Sequence, residues 1–265
     1  MTGAFLRTVL LLSSLARLAH SEQWIESWAP DPARWFISTR VDVGYAFIRP
    51  RAAFGYGKPH VQWAGADFIP LLSTSSGGGY TGLRWTERIF EVRGGLLYLQ
   101  NFSRSSLVPQ SSYDRRDIDL RTGSNAEYAA LDTEGKVSLP LGPIKMRYEV
   151  QLFVVHMWVD DRLVFVDPIA VVMGEGAAVR QRLSIDFPVA NTSGLTLGPA
   201  VEPVWIESRP NEPWVIRAGA SARFRLFDDL EIRSDLLPVV SSPDVLGRAA
   251  SHFLEIKLRW RWATH

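Results

Sequence analysis

The chain has 265 residues, and its 29 Lys and Arg nearly balance its 28 Asp and Glu. Because there is no basic excess, the composition argues against nucleic acid as a partner. Cysteine is absent, which excludes disulfide bonds, thiolate nucleophiles and metal sites built on thiolates.

Residues 1–21 have the pattern of a secretory signal peptide. Arg7 gives a weakly positive start, Thr8–Leu18 is mostly apolar, and Ala19 and Ser21 are the small residues that a signal peptidase reads. We therefore expect cleavage after Ser21 and a single mature domain over 22–265. No later segment has the about 18 consecutive apolar residues of a membrane-spanning helix, so a membrane role would have to come from strands.

Stretches of alternating apolar and polar residues, separated by turn residues, follow along the mature part and indicate β-strands. The predicted strands are Trp35–Phe47, Ala52–Tyr56, Val61–Ile69, Tyr80–Val92, Leu96–Leu107, Tyr128–Leu139, Lys145–Val155, Val179–Phe187, Leu195–Ile206, Trp214–Phe227, Leu230–Leu236 and Leu254–Trp262. Pro50 and the segments Ser73–Gly79 and Arg93–Gly95 are predicted as breaks between strands, because Pro, Gly and Ser favour turns. Met157–Gly176 contains two apolar runs split by Asp167 and Pro168, and we treat it as a loop.

The terminal strand has the clearest two-faced pattern. Its apolar face consists of Leu254, Ile256, Leu258, Trp260 and Trp262, and its polar face of Glu255, Lys257, Arg259 and Arg261. Successive side chains of a strand point to opposite faces, so one face is wholly apolar and the other wholly charged. A strand with lipid on one side and a polar lumen on the other has this pattern. The ten tryptophans agree, because such barrels carry aromatic belts at both interfaces.

Loop lengths support a count of about twelve strands, with ten or fourteen as alternatives. Bacterial barrels have short inner turns and longer outer loops. With this count the long connections, including Pro109–Ser124, Met157–Gly176 and Ser241–Ala250, all fall at one end. The predicted fold is therefore an all-β, single antiparallel transmembrane β-barrel.

The leader, the alternating strands Trp35–Phe47 and Lys145–Val155, the stretch Trp214–Leu236 and the terminal strand together resemble porin-like outer-membrane β-barrel proteins of Gram-negative bacteria. The resemblance is one of pattern and covers nearly the whole mature chain. It implies a location in the outer membrane of the cell, contact with outer-membrane lipid, and insertion by the barrel-assembly machinery.

The charged residues on the inner face of the last strands are the predicted binding or pore-lining site. They are Arg217, Arg223, Arg225, Glu231, Arg233, Asp235, Glu255, Lys257, Arg259 and Arg261. Cations exceed carboxylates in this set, and rings of Arg or Lys favour the passage of anions. The alternative is that these charges pair across strands and fill a narrow interior.

No sequence motif indicates an enzyme. His156 and His252 are predicted at the outer rim, where a rim hydrolase would place its base, but no nearby carboxylate is predicted to orient either ring. We expect no cofactor and no metal site, because cations alternate with the carboxylates of Asp114, Asp117 and Asp119. The sequence therefore favours a narrow channel for small solutes, and the excess of cations in the predicted site favours anions among them. A non-conducting structural or adhesive barrel and a rim hydrolase remain alternatives.

Overall fold

The computed structural model describes residues 32–44, 47–73, 76–119, 125–158, 162–189, 194–227, 229–246 and 254–264. The predicted signal peptide and its cleavage point lie outside these residues. Fifteen strands and one short helix are present in the described part of the chain. The strands are β1 Arg34–Gly44, β2 Phe47–Lys58, β3 Gln62–Ser73, β4 Ser76–Thr86, β5 Phe90–Ser105, β6 Asn125–Leu141, β7 Ile144–Met157, β8 Val164–Val166, β9 Val171–Met173, β10 Gly176–Pro188, β11 Leu195–Ile206, β12 Trp214–Arg225, β13 Leu230–Leu236, β14 Val239–Ser241 and β15 Leu254–Ala263, and the helix α1 is Arg115–Asp119.

Thirteen of the strands form one antiparallel sheet that closes on itself. Each strand pairs with its sequence neighbour within this sheet, β15 pairs with β1, and the pairing of β11 with β12 completes the ring. β13 and β14 pair with the same strand, β12, on either side of Leu237 and Pro238, so together they act as one interrupted strand of the barrel wall. We call each such strand of the wall a stave. The result is the predicted barrel of twelve antiparallel staves, which is confirmed.

Burial alternates along the staves as the sequence pattern requires. Along β11 every second residue from Thr196 to Ile206 is buried, while Leu197 and Val201 between them are exposed. The outer surface presents large apolar side chains, with Trp35 66% and Leu83 70% exposed. A water-soluble protein would bury most of these side chains, whereas lipid solvates them.

Connection lengths divide the barrel into two ends. At one end the staves are joined by short turns, such as 87–89 and 142–143. At the other end lie the long connections 106–124 and 158–175 and the segment 242–253. Long loops are typical of the extracellular side, so we refer to this end as the outer end and to the opposite one as the inner end.

The expected turn at Arg93–Gly95 is wrong, because these residues lie within β5. The glycines there serve the close approach of strands. Gly95 is opposite Gly82 of β4, and a Cβ atom on Gly95 would lie 2.5 Å from the Cα atom of Gly82. A glycine in a strand often marks such an approach of backbones, and the turn itself falls at residues 87–89.

Two further expected breaks are also wrong. Pro50 lies inside β2 opposite Val41 of β1, and the connection between these strands falls at residues 45–46. Ser76 to Gly79 belong to β4, so that the expected Ser73–Gly79 loop shrinks to residues 74–75. Each segment keeps its ladder partners on the neighbouring strand, and the ring of cross-strand pairs overrides the local turn preference of Pro, Ser and Gly.

Candidate functional site: the barrel interior

The segment Met157–Gly176, expected as a plain loop, carries a β-hairpin that packs inside the outer half of the barrel. Its strands β8 and β9 pair with each other and with no stave. Their apolar side chains are buried in a cluster with residues on the inner face of the staves. That cluster includes Val164, Val166, Ile169, Val171 and Met173 of the hairpin and Tyr80, Leu99, Tyr128, Phe153, Val155, Val204 and Val215 of the staves. The outer half of the interior is therefore apolar and filled.

The tip of the hairpin is held by an arginine of the barrel wall. Arg217 of β12 donates hydrogen bonds from Nη2 to the carbonyl oxygens of Ile169 at 3.0 Å and Ala170 at 2.8 Å. Its Nη1 donates to Oε1 of Glu202 on β11 at 2.6 Å. Ala170 has a φ of 52°, a left-handed conformation that costs a residue with a Cβ atom about 1 kcal/mol. The arginine thus binds an otherwise unfavourable turn to a buried ion pair.

The outer loops cover the hairpin. Tyr113, Leu107 and Ile118 of one connection form a second apolar cluster with Leu163 and Val172. The Asp244 carboxylate joins two loops, because its Oδ1 accepts hydrogen bonds from the Tyr113 amide at 3.1 Å and from Arg209 Nη2 at 2.8 Å. Burial raises the pKa of Asp244, and Arg209 opposes this rise. Because its pKa is raised, this carboxyl takes up a proton at a higher pH than an ordinary aspartate does, and its ion pair with Arg209 weakens when that proton binds.

The inner half of the interior is charged. Arg51 at 3.1 Å and Arg84 at 2.7 Å both contact Asp67. In the same way Arg93 contacts Asp132 at 3.0 Å and Glu134 at 2.6 Å. Several of these inward-facing side chains are partly accessible, with Lys136 33% and Arg40 24% exposed. The inner half is therefore charged and ion-paired, and some of its side chains remain accessible to solvent.

The ten predicted site residues lie on inward-facing positions of β12, β13 and β15, and the structure pairs several of them. Arg259 holds Asp42 of β1 with two hydrogen bonds, of 2.6 and 2.7 Å. Glu231 contacts both Arg233 and Arg261, the latter at 3.2 Å. Lys257 contacts Glu255 at 3.1 Å, and Asp235 contacts Arg182 of β10.

Arg223 and Arg225 continue the inward row of β12 beyond Arg217 toward the inner end. Arg223 is half-buried and Arg225 is exposed. The ten residues thus share one wall, and they include cations that are closely paired and cations that are not. Their role in lining a pore remains a prediction.

Some residues of the interior were not found from the sequence. Asp42, Asp67 and Glu202 each bind arginines of other strands. They lie at the polar positions of alternating strands, so the sequence indicated that they face the interior. It did not indicate their arginine partners, because pairing depends on the register of strands across the ring. The sequence feature that could have indicated the hairpin is the pair of apolar runs on either side of Asp167 and Pro168.

The histidines do not form a catalytic group in the described part of the chain. His156 points outward at the outer rim, where its Nδ1 lies 2.7 Å from Oε1 of Glu175. This carboxylate was not expected, but among the described residues it is the ring's single hydrogen-bond partner. His252 falls outside the described residues. Burial lowers the pKa of His60, in an inner turn, to about 4, and the described residues contain no group of side chains suited to a metal ion.

The fold and its interior define the class of protein. A closed antiparallel ring satisfies every ladder hydrogen bond within itself, its outer face is apolar and its inner face is polar, which is the construction that lets strands cross a lipid bilayer. The described residues contain no helix long and apolar enough to cross a membrane. The chain is an outer-membrane β-barrel with porin-like architecture.

Comparison with known proteins does not refine this class. The sequence matches no protein-family model and has no significant match among curated proteins. Among solved structures it is similar to the NanC porin, with 8% identity and a TM-score of 0.35 over 87% of this chain and 98% of that chain. It is also similar to a loop L8 deletion mutant of OmpT, an outer membrane protein of Vibrio cholerae, with 8% identity and a TM-score of 0.38 over 87% and 99%. The outer membrane protein Omp33 of Acinetobacter baumannii gives 8% identity and a TM-score of 0.39 over 87% and 99%.

Proposed function

We propose that this protein is a narrow porin-like channel, which the hairpin β8–β9 holds closed, and that its open state passes small anions. The observation that carries the proposal is the division of the interior. A charged inner half ends at an outer half in which the hairpin of a loop packs against apolar side chains of the staves. A barrel closed by a loop opens when the loop moves, and the ring of strands remains intact.

The charges of the interior support a preference for anions. On the wall formed by β12, β13 and β15 the inward-facing cations are Arg217, Arg223, Arg225, Arg233, Lys257, Arg259 and Arg261. The inward-facing carboxylates of the same wall are Glu231, Asp235 and Glu255. An excess of Arg and Lys around a narrow passage attracts anions and repels cations.

A non-conducting barrel is the second candidate, and one observation favours it. The outer loops contact one another as well as the hairpin, through Asp244 and the cluster around Tyr113. Such a cap would also suit a structural or adhesive barrel that presents its outer surface to a partner. An enzyme is less well supported, because the outward-facing pair of His156 and Glu175 is not accompanied by a described nucleophile.

Conductance distinguishes these candidates. The full chain and a variant in which a short Gly-Ser linker replaces residues 163–174 are inserted in planar bilayers under a KCl gradient. We expect the wild type to be mostly closed with brief openings, the shortened variant to conduct steadily, and both to reverse at potentials that report anion preference. Heat-dependent mobility on gels checks that each barrel has folded. Two folded barrels without conductance would overturn the channel and favour the structural barrel.

A further inference from the structure

Three cations face the lumen side by side on neighbouring strands. Arg223 of β12 is directly opposite Arg233 of β13, which in turn is directly opposite Lys257 of β15. Side chains in such positions have Cβ atoms about 4.5–5.5 Å apart, and like charges so placed repel each other. We call these three residues the cation row.

The neighbouring carboxylates do not neutralise the cation row. Glu255 contacts Lys257 at 3.1 Å, and Glu231 contacts Arg233 but is shared with Arg261 at 3.2 Å. Asp235, on the same strand as Arg233, contacts Arg182 of β10, which is three staves away in the ring. The described residues supply no ion-pair partner for Arg223. The row therefore retains positive charge that a mobile anion could compensate.

The cation row can be reached while the hairpin is in place. The side chains of Arg233 and Lys257 are 19% and 16% exposed, so part of each is accessible to solvent. Arg217, which marks the position of the hairpin tip, precedes Arg223 by six residues on β12, or roughly 20 Å along an extended strand. The row therefore lies in the charged inner half of the barrel, on the inner side of the hairpin.

We propose that the cation row is a binding site for a small soluble oxyanion of the phosphate or carboxylate type. Two guanidinium groups and one ammonium group offer directional N–H donors that fit several oxygens of one ion, and arginine is well suited to such geometry. A bound oxyanion would relieve the repulsion within the row. This inference rests on the proposed function, since the site would hold the kind of solute that the channel passes.

The test uses the full chain, folded in detergent, and titrates it with inorganic phosphate, acetate and chloride in a calorimeter. Phosphate is the primary probe, and the acetate arm decides whether a carboxylate alone suffices. We expect Arg233→Gln and Lys257→Gln each to weaken phosphate binding by about tenfold or more, the effect of losing one charged hydrogen bond. Lys136→Gln is the matched control, because it also removes one inward cation but lies on β6, and it should bind phosphate as the wild type does.

Three outcomes distinguish a failure of the proposed binding site from a failure of the proposed channel. Wild-type protein without phosphate binding, or equal binding by Arg233→Gln and Lys136→Gln, would overturn the site even if the bilayer records show an anion-selective pore. Binding that depends on the row in a barrel that never conducts would keep the site and overturn the channel. If Arg233→Gln does not fold, Arg223→Gln takes its place in the titration, because this substitution breaks no ion pair with a described residue.

Discussion

Arg217 joins the hairpin to the barrel wall through a buried side chain. One guanidinium group satisfies two carbonyl oxygens at the hairpin tip and one carboxylate of the neighbouring strand. Hydrogen bonds to charged groups contribute about 1.5–3 kcal/mol each, and an ion pair that loses one partner leaves a costly buried charge behind. We therefore expect this residue to bias the proposed equilibrium between a closed and an open hairpin more than any apolar contact of similar size.

Replacing Arg217 by Ala should open the hairpin. The loss of about 2 kcal/mol of closed-state stabilisation shifts the equilibrium by roughly thirtyfold toward the open state, visible as an increase in open probability in single-channel records. Arg225→Ala is the matched control, because it removes an exposed arginine of the same strand far from the hairpin. An open probability in Arg217→Ala that equals that of Arg225→Ala would show that the arginine does not hold the closure.

The hairpin β8–β9 behaves as a separate element within the ring. Among the described residues it makes no ladder hydrogen bonds with the staves. It is held by apolar contacts, by Arg217, by a hydrogen bond of 3.5 Å from Arg180 Nη1 to the carbonyl oxygen of Pro168 and, at its base, by a bridge to an outer loop. At that bridge Leu107 and Leu163 exchange backbone hydrogen bonds of 2.7 and 3.0 Å. Withdrawal of the hairpin would have to break this bridge, so a covalent link at the same place should prevent withdrawal.

A disulfide between Leu107→Cys and Leu163→Cys should lock the channel closed. A pair that exchanges both hydrogen bonds has Cα atoms about 5.5 Å apart, which suits a disulfide, and the chain has no other cysteine. We expect the oxidised variant to show no openings in a bilayer and reduction to restore them. The reduced form of the same protein is the control for the loss of two leucines. Openings that persist after complete oxidation would mean that the hairpin is not the gate.

Over the whole molecule, the chain is nearly neutral, but its charges are unevenly distributed. The wall of β12, β13 and β15 carries seven cations and three carboxylates, whereas in the outer connection Asp114 and Asp117 flank Arg115 and Arg116. The outer surface of the ring is a continuous apolar band. These two surfaces, one for lipid and one for the lumen, determine which side of every stave faces inward.

An arginine on the apolar band should destabilise the whole barrel. Leu83, on the outward face of β4, is among the most exposed apolar side chains. Leu83→Arg should lower the free energy of unfolding in lipid vesicles by more than about 1 kcal/mol, toward the about 2–4 kcal/mol that an arginine costs at the bilayer midplane. Val189→Arg, also exposed but in an inner turn, should cost about 1 kcal/mol or less. The measurement is urea unfolding followed by tryptophan fluorescence. Equal effects at the two positions would contradict burial of this band in lipid.

The sequence by itself determined the class of fold, because one local property decides it. A period of two residues places Leu258 and Trp260 on one face and Lys257 and Arg259 on the other, whatever the rest of the chain does. Repeated over the chain, and combined with loop lengths, the same property predicted twelve staves and the inward facing of the terminal charges.

The tertiary structure alone decided what the interior contains. Register across the ring brought Asp42 to Arg259 over 217 positions of sequence, and no local pattern carries such a pairing. The expected turns at Arg93–Gly95 and Ser73–Gly79 were wrong because strand pairing outweighs the turn preference of glycine and serine. The hairpin was missed for a related reason. Three-residue strands acquire a defined position only when the staves around them supply an apolar cavity, and that cavity exists only once the barrel has closed.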